Sequence, residues 1–355
     1  MKATCIQTDL LTALRIAKRL TLPQHSVLSH VLLEAKEQTL TIQAMDLTSA
    51  VELWLSAEVE EEGRAILPAR ELLDLVRSLP KGTVTIGTDG IQVEVGGVTF
   101  TPAVDCEDFP EQRKDAPDAK IITLDADEFQ EALRSVSFCA SRSEDRQQLM
   151  SVAVVPGALV ASDGKRLAEY KLHELQTDRG IIPLAAVTAV EALLKLKSTT
   201  PREVGFVVDA KSAAAAIYTP CGTVTTRLIE GQLPDYVSLI PTTSEVQVLC
   251  RADALRKVIA QAAATLEPKN RVVRLDTRMG TLRIASEATA GLEVEAVSTL
   301  TGEDNFSASF TADFIIDGLK LWKKDPVVLA VNGGHKATVM SIGSWRYAFM
   351  PVMGR

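Results

Sequence analysis

One pattern recurs six times along these 355 residues and restricts the fold more than any single motif does. A short run with strand character ends in an apolar anchor. A helix-like stretch follows, with apolar residues five and about nine positions after the anchor. The anchors are Cys5 (then Leu10 and Leu14), Leu67 (Leu72, Val76), Leu124 (Phe129, Leu133), Ile182 (Val187, Val190), Leu249 (Ala254, Val258) and Phe310 (Ile315, Leu319). They lie 62, 57, 58, 67 and 61 residues apart, and the fourth unit is the loosest, its last apolar residue coming at plus eight. Apolar residues four apart form one buried stripe on a helix, and a period of this length marks a repeated supersecondary unit. Six unrelated amphipathic helices in an α+β protein are the competing explanation.

The segments between the helices favour the repeat. Thr83 to Thr88 alternates, Asp89-Gly90 turns, Ile91 to Val95 alternates again and Gly96-Gly97 turns back, which is a β-meander. Glu203 to Val208, Val224 to Leu228, Val272 to Leu275 and Val327 to Val331 read the same way. Helix starts are expected at Thr8-Asp9, Pro68-Ala69-Arg70, Asp125-Ala126-Asp127 and Thr311-Ala312-Asp313, where capping residues or an N-terminal proline stand. Each unit is then one helix and three or four antiparallel strands. Polar, proline-containing stretches at 111–118 and 241–244 follow the second and fourth units, so pairing the units gives three similar domains, 1–118, 119–242 and 243–355.

Several function classes are excluded by what the chain lacks. It has no phosphate-cradling GxxxxGK[ST] loop, no GxGxxG and no GxSxG elbow. Its five cysteines and four histidines are scattered without metal-ligand spacing, so no metal and no cofactor are expected, and the cysteines read as buried thiols. Asp105, Asp163 and Asp235 are the raw material for an enzyme, and none stands beside a base. The longest apolar runs, Ala213 to Tyr218 and Val258 to Leu266, are shorter than the roughly 18 residues of a membrane span. Met1-Lys2-Ala3-Thr4-Cys5-Ile6 leads into a polar segment without an apolar signal core, so the cytoplasm is the expected location.

Charge adds a direction. The six helix windows (8–21, 68–82, 125–142, 183–197, 251–266, 311–324) hold 16 Lys/Arg and 11 Asp/Glu, net +5, whereas the rest of a chain of net charge −8 carries −13. Positive charge is therefore expected on a helical layer, in a protein acidic elsewhere, and such a layer suits a polyanion. The DNA-facing candidates are Arg15, Lys18, Arg19, Arg70, Arg77, Arg134, Arg142, Lys195, Lys197, Arg256, Lys320 and Lys323. Basic residues near helix C-termini also complement the helix dipole, and that explanation stands beside the first.

A family resemblance rests on six segments in order: Asp9-Leu10-Leu11, Leu67 to Leu73, Asp108-Phe109-Pro110, Ser162-Asp163-Gly164-Lys165-Arg166-Leu167-Ala168, Gly231 to Tyr236, and Tyr347 to Val352. With these the chain resembles the bacterial DNA polymerase III β subunits, the sliding clamps, from end to end. The resemblance implies a three-domain DNA clamp fold forming half of a closed ring, two chains joining head to tail as a homodimer around double-stranded DNA without sequence preference. Twelve helices spaced about 8–10 Å apart would enclose a hole about 30–38 Å across, wide enough for hydrated duplex. It implies no catalysis. It further implies a cleft for short peptide motifs of DNA polymerases and the clamp loader, mapping onto Arg146, Leu149, Ser162, Gly164, Lys165 and Leu167, onto Pro234, Ser238 and Leu239, and onto Phe349, Met350, Pro351 and Val352. Ring closure would pair Val98, Thr99, Phe100 and Thr101 with the region of Ala264, Thr265 and Leu266. The chain departs from the family pattern at Leu22, at Leu184-Ala185, at Lys165 and Ser238, and at Met353-Gly354-Arg355. A diverged paralogue that binds partner peptides without encircling DNA is the alternative expectation.

Overall fold

The computed structural model describes all residues except 90–91, 102–103, 111–118, 197–202, 232–235, 265, 268, 270, 279–280, 287–292, 297–298, 303–305, 333–335 and 353–355. Among the described residues six α-helices alternate with antiparallel strands: α1 Gln7–Ala17, α2 Ala69–Ser78, α3 Ala126–Ser137, α4 Leu184–Leu193, α5 Ala252–Ala264 and α6 Ala312–Leu319. The architecture is the expected α+β alternation.

The anchors explain where the helices begin. Cys5, Leu67, Leu124, Ile182 and Phe310 are buried strand ends, each two residues ahead of its helix, and Leu10, Leu14, Leu72, Val76, Phe129, Leu133, Val187, Val190, Ile315 and Leu319 are buried below them. The fifth unit departs by one position. Leu249 is 46% exposed, whereas Cys250, Leu255 and Ile259 are buried, so Cys250 is the anchor and the last intervals become 68 and 60 residues. The strand Val246–Arg251 alternates inward and outward, and an apolar residue on its outward side misled the register. The expected caps hold only in part. Asp125 accepts from the Glu128 amide at 2.8 Å, but α1 starts at Gln7 behind Ile6 with no side-chain cap. There the Gln7 amide is satisfied by the Gly82 carbonyl at 2.8 Å and its side chain donates to the Val76 carbonyl at 2.6 Å.

Every helix ends earlier than its sequence window. Within the observed helices there are 6 basic and 10 acidic residues, net −4, which overturns the expectation of a positively charged helical layer. Lys18, Arg19, Arg142, Lys195, Lys320 and Lys323 lie beyond the helical C-termini, and acids such as Asp9, Glu71, Asp127, Asp253 and Asp313 occupy first turns. Both placements lower the energy of the helix dipoles.

The chain divides into two compact units. The first comprises Met1–Gln130, Val154–Pro156 and Glu174–Ile229. Its sheet has 12 strands among the described residues. From one edge the order is Val98–Phe100, Gln92–Val95, Thr83–Asp89, Lys2–Ile6, Ser49–Glu61, Gly222–Arg227, Ala214–Thr219, Glu203–Asp209 and Ile122–Asp125. Strands Thr39–Met45, His30–Lys36 and Gly63–Pro68 branch from the long Ser49–Glu61 strand. Gly222 sits where that strand meets Gly222–Arg227, opposite Leu53, and a Cβ there would lie 2.3 Å from the Glu52 carbonyl oxygen, so the ladder closes only on a glycine. α1 packs on α2, and the 3₁₀ turn Lys18–Leu20 that prolongs α1 packs on α4.

The second unit comprises Glu131–Ala153, Gly157–His173 and Glu230–Arg355. Strands Ala158–Ser162, Arg166–Lys171, Trp345–Phe349, Thr338–Ile342, Pro326–Val331, Val246–Arg251 and Thr299–Gly302 follow one another in a single sheet. Glu293–Ala296, Thr281–Ser286, Val272–Arg278 and Ser307–Thr311 form another, and α5 packs on α6. A column of aromatic rings runs through the core: Trp322, Trp345, Tyr347, Phe349, Phe310 and Phe306, each neighbouring the next with centroids 5.3–6.5 Å apart. The Trp345 indole donates to the Ser135 carbonyl at 2.8 Å and the Tyr347 hydroxyl to the Phe314 carbonyl at 3.0 Å, which removes the polar cost of burying both rings. Gly318 of α6 admits Tyr347, since a Cβ would meet the ring at 2.9 Å.

Candidate peptide cleft and nucleic-acid surfaces

The described cleft candidates all belong to the second unit, and the local sequence shows how they are positioned. Strand Arg166–Lys171 pairs with Trp345–Phe349, Arg166 opposite Phe349 and Leu167 opposite Ala348. The turn before it, Asp163-Gly164-Lys165, is held by side chains at both ends. Asp163 Oδ1 accepts from the Lys165 and Arg166 amides at 2.9 and 3.1 Å. Ser162 Oγ accepts from the Gly164 amide at 3.0 Å and donates to the Arg166 carbonyl at 2.8 Å. Gly164 has φ +87°, and its missing Cβ leaves room for the guanidinium of Arg146 and, beside it, Leu149. The Lys165 carbonyl accepts from the Met350 amide at 3.2 Å, and the Val352 amide donates to Ser309 at 2.7 Å, so the C-terminal segment is fixed along the turn.

The resulting surface is apolar with basic groups. Met350 is 46% exposed, Val352 37%, Leu239 58% and its neighbour Val237 58%. Leu149 and Ser162 are half-buried, while Arg146, Gly164, Lys165 and Ser238 are exposed. Three candidates are in the floor instead of on the surface: Leu167, Phe349 and Pro351 are buried. Pro234 lies outside the described residues.

Arg166 was missed as a site residue. Its side chain is 12% exposed, and its guanidinium stands 5.7 Å from the Phe138 centroid and 4.7 Å from that of Phe314. It donates to Asp163 Oδ2 and to Asp317 Oδ2, each at 3.0 Å. Burial pushes the Asp317 carboxyl up, but hydrogen bonds from Lys320 and Arg166 outweigh that and hold it below the usual carboxylate range. Around this ion cluster burial raises the Cys139 thiol and the Tyr347 phenol well above their ordinary values. The available signal in the sequence was the arginine two residues after the Asp163-Gly164 pair; its partner Asp317 is 151 residues away.

Of the DNA-facing candidates, Arg15, Arg70, Arg77, Arg134 and Arg256 are exposed on helices. Lys18, Arg19, Arg142, Lys195, Lys320 and Lys323 are exposed on turns, and Lys197 lies outside the described residues. Arg77 and Lys320 each pair with an aspartate three residues earlier, at 3.0 and 2.6 Å. Among the ring-closure candidates Val98, Thr99 and Thr101 are exposed and Phe100 half-buried on an edge strand. Ala264 is exposed, Leu266 half-buried and Thr265 outside the described residues. A shallow cavity of about 740 Å³ lies against that edge strand, lined by Thr99, Glu94, Leu79 and Lys2 among others, and is separate from the cleft candidates. Among the described residues no group of three His, Cys, Asp or Glu side chains could hold a metal, and no helix is long and apolar enough to cross a membrane.

Comparison with known proteins matches this architecture from end to end. The model of the DNA polymerase III beta subunit N-terminal domain covers residues 1–133, and that of the C-terminal domain covers residues 237–347. A beta sliding clamp of Synechococcus elongatus is 28% identical over 100% of both chains, and that of Chlamydia trachomatis serovar D is 27% identical over 89% of this chain and 77% of its own. Among solved structures, the sliding clamp of Bartonella birtlesii bound to griselimycin superposes with a TM-score of 0.88 at 21% identity, over 100% of each chain. That of Pseudomonas aeruginosa gives 0.85 at 24%, again over 100% of each. With the helix-opening repeat and the full-length match together, the chain belongs to the bacterial DNA polymerase III beta subunit family, the sliding clamps.

Proposed function

We propose that two copies of this chain close head to tail around duplex DNA and that the surface formed by Arg146, Leu149, Ser162, Gly164, Lys165, Ser238, Leu239, Met350 and Val352 captures short apolar peptide segments of polymerases and the clamp loader. The protein is a non-catalytic processivity subunit; it works by enclosure and tethering. The observation that carries this reading is the sixfold recurrence of a buried strand-end anchor two residues before a helix, across the whole chain. It supports three domains of two units each, 1–118, 119–242 and 243–355, and a cytoplasmic location follows from the replicative role. Clamps of Bartonella birtlesii and Pseudomonas aeruginosa have been solved with griselimycin bound, and we take the apolar cleft as its site in this chain, which makes that compound a probe whose binding the cleft variants test.

The exposed lysines and arginines would attract phosphates without reading bases, so the ring slides. α4 carries no basic residue, in line with the departure at Leu184-Ala185, but the turn holding Lys18 and Arg19 packs on it and supplies cations nearby. That packing favours encirclement over a paralogue that binds peptides alone. The test is retention on nicked circular DNA after loading. Retention that is lost on linearisation is the expected result, and a chain that stays monomeric, or dissociates from circular and linear DNA alike, refutes it.

A further inference from the structure

Asp317 lies on α6 and is not one of the cleft residues, yet the cleft's turn depends on it through a connected set of hydrogen bonds. Its Oδ2 accepts from Arg166 Nη1 at 3.0 Å; Arg166 Nε reaches Asp163 Oδ2 at the same distance. The other oxygen of Asp163 gathers the amides of Lys165 and Arg166, and the carbonyl of Lys165 holds Met350. We infer that Asp317 is a positioning residue for the cleft: by fixing the Arg166 guanidinium it sets the turn 163–165 and, through it, the exposed Met350. This inference rests on the peptide-cleft reading above.

The physical reason lies in the environment of Arg166. A guanidinium cannot be deprotonated and offers donors in a rigid planar fork, so its direction is set by the acceptors on its edges. Phe138 and Phe314 occupy the space around its faces and leave little water to replace a lost carboxylate. With Asp163 and Asp317 both present, the fork is held from the turn and from the helix, and Asp163 is divided between the guanidinium and the two turn amides. Without the Asp317 charge, Arg166 has one carboxylate and the neutral Tyr347 hydroxyl for a cation that is largely out of water. It must then draw Asp163 toward itself or swing outward, and either movement takes Asp163 off the amides that shape the turn. Lys320 does not substitute for Arg166. It donates to Asp317 Oδ1 at 2.6 Å from an exposed position just past the C-terminus of α6, where such pairs contribute little.

The test measures griselimycin affinity by titration calorimetry and melting temperature on the full chain, for wild type, Asp317→Asn, Asp317→Glu, Asp313→Asn and Met350→Ala. Asp313 sits on the same helix and pairs with Arg271, so it controls for general damage to α6. Asp317→Asn should weaken griselimycin about tenfold, the usual scale for one charge-assisted hydrogen bond. Asp317→Glu should recover part of the loss, and Asp313→Asn should stay within twofold of wild type. Should Asp317→Asn not fold, Arg166→Lys, which keeps the charge and loses the fork, should show the same weakening. A lower melting temperature with unchanged affinity in Asp317→Asn overturns the inference while leaving the cleft intact, provided Met350→Ala weakens binding. If Met350→Ala also binds like wild type, the cleft reading fails and the inference with it.

Discussion

Truncating the two most prominent apolar groups of the cleft gives a prediction whose size follows from exposure. Fully burying a methionine or leucine side chain is worth about 1.5–3 kcal/mol. Met350 is 46% exposed and Leu239 58%, so a ligand that covers them gains what is still uncovered. That amounts to about 0.7–1.4 kcal/mol for Met350 and about 0.9–1.7 kcal/mol for Leu239. Replacing both with alanine removes most of this sum, and the affinity for griselimycin should fall roughly 10- to 100-fold. About half of each side chain is already in water, so the folded state loses only the buried half, and the melting temperature should fall by a few degrees. Calorimetric titration beside a thermal melt separates the two quantities. A folded double variant that binds within threefold of wild type would show that these residues are not where the ligand sits.

Two further outcomes follow from burial. Glu169 is buried and paired with the partly exposed Arg346 across adjacent strands, so Glu169→Ala removes a charge-assisted hydrogen bond and should cost about 1.5–3 kcal/mol, lowering the melting temperature by several degrees; a double replacement of both partners by leucine should recover much of it, as denaturant melts would show. The thiols should separate by reactivity: burial raises Cys5 and Cys250 to about 11 and holds Cys139 well above its ordinary value, so in alkylation at pH 8 followed by peptide mass mapping the half-buried Cys106 and Cys221 should react first, and the slow set should react fully only on unfolding.

The repeat was legible because its anchors are core residues, and burial at Cys5, Leu67, Leu124, Ile182 and Phe310 is what a periodic apolar signal records. Leu249 shows the limit of that signal. In an alternating strand one apolar residue on the solvent side is enough to slide the register, and Cys250 attracts less notice than leucine. The helix ends were lost for a related reason: basic residues after a C-terminus satisfy the dipole without being helical, so windows drawn to include them moved the charge onto the wrong element. In the cleft, sequence supplied the turn 162–168 and the segment 349–352 but not the buried standing of Leu167, Phe349 and Pro351. Nor could it supply Arg166, whose role depends on a helix far along the chain and on two phenylalanines that close around it.

The three tryptophans are unevenly placed. Trp54 is exposed in the first unit, with its indole 3.1 Å from Glu52, while Trp322 and Trp345 stand together in the aromatic column of the second. The molecule thus carries its own optical labels: emission from Trp54 is water-relaxed from the start, whereas Trp345 emits from a fully buried site beside the half-buried Trp322 and shifts to longer wavelength when that half melts. Replacing Trp54 with phenylalanine would leave a fluorescence signal that reports the loading-competent fold of one half alone, without any attached dye.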